Sequence, residues 1–266
     1  TLVAPNANWV SMAHTANYGS FGMLNLLGSG AFFNSVTGST SRTINMATAG
    51  GNLMSVINLN AGTILANKIY AGNQGTPTYF NFAGGTLLAN GGTTLASTFL
   101  QDMTAATVYP GGAVIDSSNA TITVNQPLLA PTGYGVSSIA VANGGAGYIG
   151  APVVTISGGS GTGATAIASV DLDTTSATYG QVTAITVTSP GVGYQITDSL
   201  AVTLLRGGYT TIAQVGVPVF APNQATGGLT KQGSGTLTLG GTNTYGGATT
   251  ISAGTLKLGN ASALSS

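Results

Sequence analysis

The 266-residue chain reads as all-β, a parallel β-solenoid (β-helix) that carries a small inserted β domain. Three observations predict this. Short segments alternate apolar and polar residues with period two, as half-buried strands do. Related blocks recur along the chain with a glycine between their strands, at the roughly 20 to 30 residue period of a stacked coil. Long 3.6-period stretches rich in Ala, Glu and Lys are missing, so helices are not expected.

The strands are legible one by one. "ATITV" (Ala120 to Val124), "SSIAVA" (Ser137 to Ala142), "TAITVT" (Thr183 to Thr188) and "GTLTLG" (Gly235 to Gly240) alternate and are bounded by Gly, Asn or Pro. "VINLNAGTILAN" (Val56 to Asn67) aligns without gaps on "YFNFAGGTLLAN" (Tyr79 to Asn90), matching Ile57 with Phe80, Leu59 with Phe82, Ile64 with Leu87 and Leu65 with Leu88. A looser copy, "VYPGGAVIDSSN" (Val108 to Asn119), follows if Gly112 matches Gly85, and "MLNLLGSGAFFNS" (Met23 to Ser35) reads as an earlier one. Near the end, the phrases GTLTLG (Gly235 to Gly240) and GTLKLG (Gly254 to Gly259) place Leu237 over Leu256 and Leu239 over Leu258 on adjacent rungs. Between these regions "SIAVANGGAGYIGAPVVTISGG" with "ATAIASV" recurs as "AITVTSPGVGYQITDSLAVTLLRGGYTTIAQV", matching Tyr148 with Tyr194 and Gly147 with Gly193. The expected organisation is solenoid rungs over 1–130, an inserted tandem repeat over 131–220, and solenoid rungs again over 221–266.

Charge sets the surface. Only Arg42, Lys68, Arg206, Lys231, Lys257, Asp102, Asp116, Asp171, Asp173 and Asp198 are charged, and the net charge is zero, whereas an ordinary domain carries about 25% Asp, Glu, Lys and Arg. Ser, Thr, Asn and Gly must supply the surface polarity, and a neutral surface resists association weakly. Five scattered cations make no phosphate-binding stripe, so nucleic acid is not an expected partner. No apolar run reaches the roughly 20 residues of a membrane-spanning helix. Cysteine is absent, which removes disulfides and thiolate metal sites. The chain opens at Thr1 with no basic-then-apolar leader, so a signal peptide is expected to be removed already or to lie outside this stretch.

The stretch Gly227 to Gly259, "GGLTKQGSGTLTLGGTNTYGGATTISAGTLKLG", resembles the autotransporter-associated β-strand repeat, or passenger-associated transport repeat. Gly-Leu-Thr-Lys, Gly-x-Gly-Thr-Leu-Thr-Leu, Asn-Thr-Tyr and Ala-Gly-Thr-Leu carry the resemblance. Residues 50 to 130 are similar to the segment that often precedes such repeats. The resemblance implies an extracellular β-solenoid, secreted or displayed on the cell surface. The middle units are similar to the GGxGY tandem repeats of secreted and phage-associated surface proteins.

Candidate chemistry is sparse, and no catalytic, cofactor-binding or metal-binding residue is assigned. Lyases and hydrolases on β-helices need clustered carboxylates, and the five Asp are spread out. Asp171 and Asp173 in "DLDTTS" begin like a calcium loop but lack further acidic ligands, so a solvated turn is expected. Asp102 and Asp116 read as turn-forming or hydrogen-bonded residues. His14 is the single histidine, too few for a histidine metal cluster. "GSGTG" (Gly159 to Gly163) lacks the Lys and helix of a phosphate loop and reads as a turn. Tyr134, Tyr148, Tyr194, Tyr209 and Trp9 suit either a sugar-stacking surface or the capping of Gly turns, and the second reading is plainer. Asn119 and Asn260 head the sequons "NAT" and "NAS".

The ends suggest assembly. Thr1 to Ser41 and Leu258 to Ser266 hold no charge, although the first stretch carries Leu2, Val3, Trp9, Val10, Phe21, Leu24, Leu26, Phe32 and Phe33. A solenoid with uncapped strand edges is expected to pair end to end. Two functions follow, neither enzymatic: a structural subunit of an extracellular bacterial fibre whose partner is itself, or a passenger-type adhesin that binds glycan or a host surface.

Overall fold

A computed structural model describes the backbone of residues 2–3, 9–11, 21–34, 43–47, 54–73, 75–91 and 98–264, with side chains from Gly22 onward. His14 and Arg42 lie outside the described residues, as do the side chains of Leu2, Val3, Trp9, Val10 and Phe21. The chain divides into two compact units, Thr1–Ala130 with Gln224–Ser266, and Pro131–Asn223.

The first unit is a stack of coils. Each of the first five contributes one strand to each of three sheets: β1 (Leu2–Val3), β2 (Trp9–Ser11) and β3 (Phe21–Leu26); β4 (Phe32–Asn34), β5 (Thr43–Asn45) and β6 (Met54–Leu59); β7 (Thr63–Ala66), β8 (Lys68–Tyr70) and β9 (Thr78–Phe82); β10 (Thr86–Ala89), β11 (Leu100–Gln101) and β12 (Ala105–Val108); β13 (Ala113–Asp116), β14 (Thr121–Val124) and β15 (Leu128–Leu129). After β15 the chain passes into the second unit, which holds β16 (Tyr134–Ser138), β17 (Val141–Asn143), β18 (Val153–Gly158), β19 (Thr165–Val170), β20 (Val182–Ser189), β21 (Leu200–Leu205), β22 (Gln214–Val215) and β23 (Val219–Pro222). It then returns to the stack as β24 (Leu229–Gln232), β25 (Thr236–Leu239), β26 (Thr249–Ile251) and β27 (Thr255–Leu258). The first sheet runs β1-β4-β7-β10-β13-β24-β26, the second β2-β5-β8-β11-β14-β25-β27 and the third β15-β12-β9-β6-β3. Every pairing among them is parallel.

Parallel stacking turns each inward position into a file. In the first sheet Phe33, Ile64, Leu87, Ile115, Lys231 and Ile251 lie one over the next. In the second, Ile44, Ile69, Leu100, Val124, Leu239 and Leu258 do the same. Leu26, Leu59, Phe82 and Val108 form a file of the third. The buried apolar members of these files form one continuous core, and each large aliphatic buried there contributes about 1.5–3 kcal/mol. On the reverse face of the third sheet the alternate position forms a polar file. Asn58 donates from Nδ2 to Oδ1 of Asn25 at 2.7 Å, and Asn81 donates to Asn58 at 2.8 Å. Asn58 and Asn81 are buried, so the ladder satisfies amides that burial would otherwise penalise.

Most of the predicted register holds. Ile57 pairs with Phe80, and Ile64 pairs with Leu87. Leu237 pairs with Leu256 and Leu239 with Leu258. The looser copy is corrected. Matching Gly112 with Gly85 would set Phe82 against Tyr109 and Leu87 against Val114, whereas Phe82 pairs with Val108 and Leu87 with Ile115. Gly112 lies opposite Gly84 and not Gly85, with the Gly84 amide donating to the Gly112 carbonyl at 3.0 Å. The corner from Tyr109 to Gly112 is longer than the corner of the preceding coil, so no single offset fits both strands, and a strand out of step by one residue would turn its inward side chains outward. "SSIAVA" is likewise divided between two strands, β16 and β17, rather than forming one.

In the second unit all pairing is antiparallel and nested: β16 with β23, β17 with β22, β18 with β21, β19 with β20. β17 to β19 belong to the first Gly-Tyr repeat and β20 to β22 to the second, so each of these strands pairs with the other repeat. The tyrosines cross in the same way. Tyr148 is buried, accepts a hydrogen bond from the Ala213 amide at 2.9 Å, and its ring lies 2.8 Å from where a Cβ on Gly207 would sit. Tyr194 is buried against Gly161, the equivalent glycine of the first repeat. Gly161→Ala is expected to destabilise the protein by about 1–3 kcal/mol, because the new methyl overlaps the Tyr194 ring. Denaturant unfolding checks this, and an unchanged midpoint would contradict the packing described.

Candidate functional site

The last two coils, β24 to β27, place their side chains by simple alternation. Leu229 and Lys231 point inward, as do Leu237 and Leu239. Lys231 is thus the one charged member of an aliphatic file, between Ile115 and Ile251, and it is fully buried. Its methylenes continue the file, while its ammonium reaches the corner beyond the strand. There Nζ donates to the carbonyls of Gln232 at 2.6 Å, Gly233 at 2.7 Å and Ala253 at 3.0 Å. Burial holds the ammonium pKa below its usual value, and the negative charge of Asp116 opposes that shift. Gly254 is obligatory beside it: its φ is +69°, and a Cβ there would lie 2.8 Å from Lys231 Nζ.

Asn243 performs a second joining role. The chain from Gly240 to Ala248 forms no strand where earlier coils have one of the third sheet. The Leu128 amide donates to Asn243 Oδ1 at 2.8 Å, the Thr244 amide donates to the Leu128 carbonyl at 2.9 Å, and Asn243 Nδ2 donates to the Ala263 carbonyl at 2.5 Å. One side chain therefore links the coil above to the coil below. Tyr245 is buried in the core and its hydroxyl pairs with Thr249 at 2.6 Å; desolvation raises its pKa. Beyond these residues, the outer edges of β26 and β27 have no strand partner among the described residues, and Ile251 and Leu258 are 52% and 48% exposed.

The remaining candidates do not gather. Asp116 ends β13 and accepts from the Ser118 amide at 2.7 Å, while Asp102 follows β11 in the second sheet with a left-handed φ of 63° and a hydrogen bond from Gln101 Nε2. Asp171 and Asp173 are engaged by their own loop: Thr178 and the Asp173 amide donate to Asp171, and Thr175 donates twice to Asp173. Those hydrogen bonds, from Ser176 first for Asp171 and from Thr175 for Asp173, hold both carboxyls below the usual range. Asp198 accepts from the amides of Gln195 and Ser160 and from the Ser160 hydroxyl, which lowers its pKa and ties the "GSGTG" turn to the loop at 195–198. Among the described residues no three His, Cys, Asp or Glu side chains lie together as a metal site. Lys68 lies 4.4 Å above the Tyr70 ring. Of the tyrosines, Tyr148 and Tyr194 are interior, Tyr134 is half-buried and Tyr209 is exposed. Asn119 is exposed in a turn, whereas Asn260 donates to the Gly240 carbonyl at 2.6 Å.

Residue type alone does not single out Lys231 or Asn243. The signal for Lys231 is phase: it stands two positions after the inward Leu229. Because the folded ammonium has a pKa below the unfolded value, the unfolded chain holds more protons between the lowered pKa and about 10.5, and stability contributed by this residue rises with pH across that window. Lys231→Met keeps the stem and removes the donors, leaving three corner carbonyls without them; a loss of about 1–3 kcal/mol is expected near neutral pH. The gap between wild type and variant should widen as pH rises toward about 10, where the unfolded lysine still binds its proton. Denaturant titrations at several pH values check both statements, and a gap that narrows with pH would contradict the burial argument.

Residues 229–258 match the passenger-associated-transport-repeat family, and the match covers that segment alone. Comparison with curated proteins returns no match, and comparison with solved structures returns none either. The matched segment spans β24 to β27, so the lysine-capped corner, the Asn243 link and the two terminal rungs are together one passenger-associated transport repeat, which implies an autotransporter passenger, secreted or at the cell surface.

Proposed function

We propose that this chain is a non-catalytic structural subunit of an extracellular bacterial assembly, joined end to end through strand pairing at the open edges of its coils. The observation that carries the reading is the edge formed by β26 and β27. These strands continue the register of two seven-stranded parallel sheets, and their file residues Ile251 and Leu258 are half exposed. A strand added there gains a ladder of backbone hydrogen bonds and covers apolar side chains, as in strand-addition recognition. A contact of this kind joins unlike ends and does not close on itself, so it propagates. Leu26 and Phe33 temper one part of the sequence argument, since both belong to the core rather than to an exposed end.

A second reading, a passenger-type adhesin, draws on a different observation. Large exposed apolar side chains are concentrated in the second unit, where Ile149, Val217 and Ile196 are 79%, 80% and 64% exposed. This reading takes those side chains as contact surface for a glycan or host molecule.

Negative-stain electron microscopy over a dilution series tests the first reading. Fibres with a regular axial repeat are expected from the wild-type chain. Ile251→Lys with Leu258→Lys is expected to shorten or abolish them while leaving the monomer folded, because a lysine stem at either half-exposed position can carry its ammonium into water. Discrete particles at every concentration, or fibres indifferent to the two lysines, would contradict end-to-end pairing.

A further inference from the structure

At the corner between the second and third sheets, the turns of the fourth and fifth coils line an open surface groove of about 580 Å³. We propose that this groove binds a neutral saccharide, with Asp102 as its principal hydrogen-bonding group. The assignment concerns the solenoid wall and is independent of end-to-end association.

Asp102 turns the chain with φ 63°, a left-handed conformation that Asp and Asn adopt more readily than other non-glycine residues. Its support comes from the next coil: buried Gln126 accepts the Met103 amide at 2.8 Å through Oε1, and the amides of Asn125 and Gln126 donate to the Leu100 carbonyl at 3.0 Å. The register of Leu100 with Val124 and of Val124 with Leu239 places Gly240 and Gly241 beneath this corner in the sixth coil. A Cβ on Gly240 would overlap the Asn125 amide, and one on Gly241 would lie 2.8 Å from the Pro127 nitrogen, so the glycines let the sixth coil pack closely beneath the residues that line the groove.

The chemistry of the lining selects the ligand. Asp102 is exposed and takes a hydrogen bond from Gln101 Nε2. Asn125 presents an exposed amide on the adjoining coil. A carboxylate that accepts and amides that both donate and accept match vicinal hydroxyl groups, each of which does both. Met103, Pro127 and Leu129 supply an apolar side for the C–H face of a pyranose ring. A lone carboxylate is too few ligands for a divalent cation, it repels anions, and it lacks the second carboxylate needed for glycoside hydrolysis. Binding without cleavage is what remains.

Saturation-transfer NMR on the whole chain tests this with glucose, galactose, mannose, N-acetylglucosamine and lactose, and with spermidine as a cationic comparison. At least one of the five sugars is expected to receive saturation. Asp102→Asn, which tolerates the left-handed turn, is expected to weaken that sugar about tenfold, equivalent to about 1.4 kcal/mol, and Asp102→Gly to abolish its binding. Asp171→Asn, outside the groove, is expected to change nothing. Absence of transfer to all five sugars, binding that survives Asp102→Gly, or transfer to spermidine alone would each overturn the assignment, the last by identifying an ammonium site instead.

Discussion

In-register parallel pairing of each coil with the next is the constraint on which the rest of the solenoid depends. Because a strand carries its side chains with period two, a partner that is out of step by one residue reverses every inward position. Once the register is set, the chain must repeat not a sequence but a polarity at each point of the coil. That explains why Phe, Ile and Leu interchange within one file, as at Phe33, Ile64, Leu87 and Ile115. It also explains why changes of coil length fall at corners. The corner from Tyr109 to Gly112 absorbs extra chain, and the whole of Pro131–Asn223 enters between β15 and β24 without disturbing the pairing of Ala113 with Leu229.

The same constraint gives polar residues specific tasks. A file that has begun with asparagine on the reverse face continues best with asparagine, since each amide can donate down the stack and accept from above. Lys231 is the opposite case, an odd member of an aliphatic file. It is tolerated because its stem is apolar and its ammonium ends among three carbonyls that the corner would otherwise leave poorly satisfied. Asn243 replaces a strand of the third sheet by a side chain that bonds to both neighbouring coils. In this chain the passenger-associated transport repeat is therefore a pair of rungs joined by one buried lysine and one linking asparagine.

Much of this is written in the sequence where inward residues recur with constant spacing. The pairing of Leu237 with Leu256 follows from two nearly identical phrases, and the pairing of Ile57 with Phe80 from a gap-free alignment. The pairing of Leu87 with Ile115 is obscured because one offset cannot fit two strands whose intervening corners differ in length. Lys231 is obscured because a lysine normally faces water, and only its phase relative to Leu229 places it inside. The Gly-Tyr repeats show a different limit. Their similarity establishes that two equivalent halves exist, but it holds equally whether strands pair within a half or across halves. The packing of Tyr148 on Gly207 and Tyr194 on Gly161 decides in favour of exchange. The Asp102 groove has no linear signature, since its lining comes from two coils.

The absence of native cysteine makes the register directly measurable. Thr238 and Lys257 are paired on the outward side of β25 and β27, about 4.8 Å apart as adjacent parallel strands require. Thr238→Cys with Lys257→Cys should therefore oxidise readily to an intramolecular disulfide, whereas Thr236→Cys with Lys257→Cys, displaced along the strand, should not. Equal oxidation of both pairs, or preference for the second, would contradict the coil-on-coil register from which the core files and the buried lysine both follow.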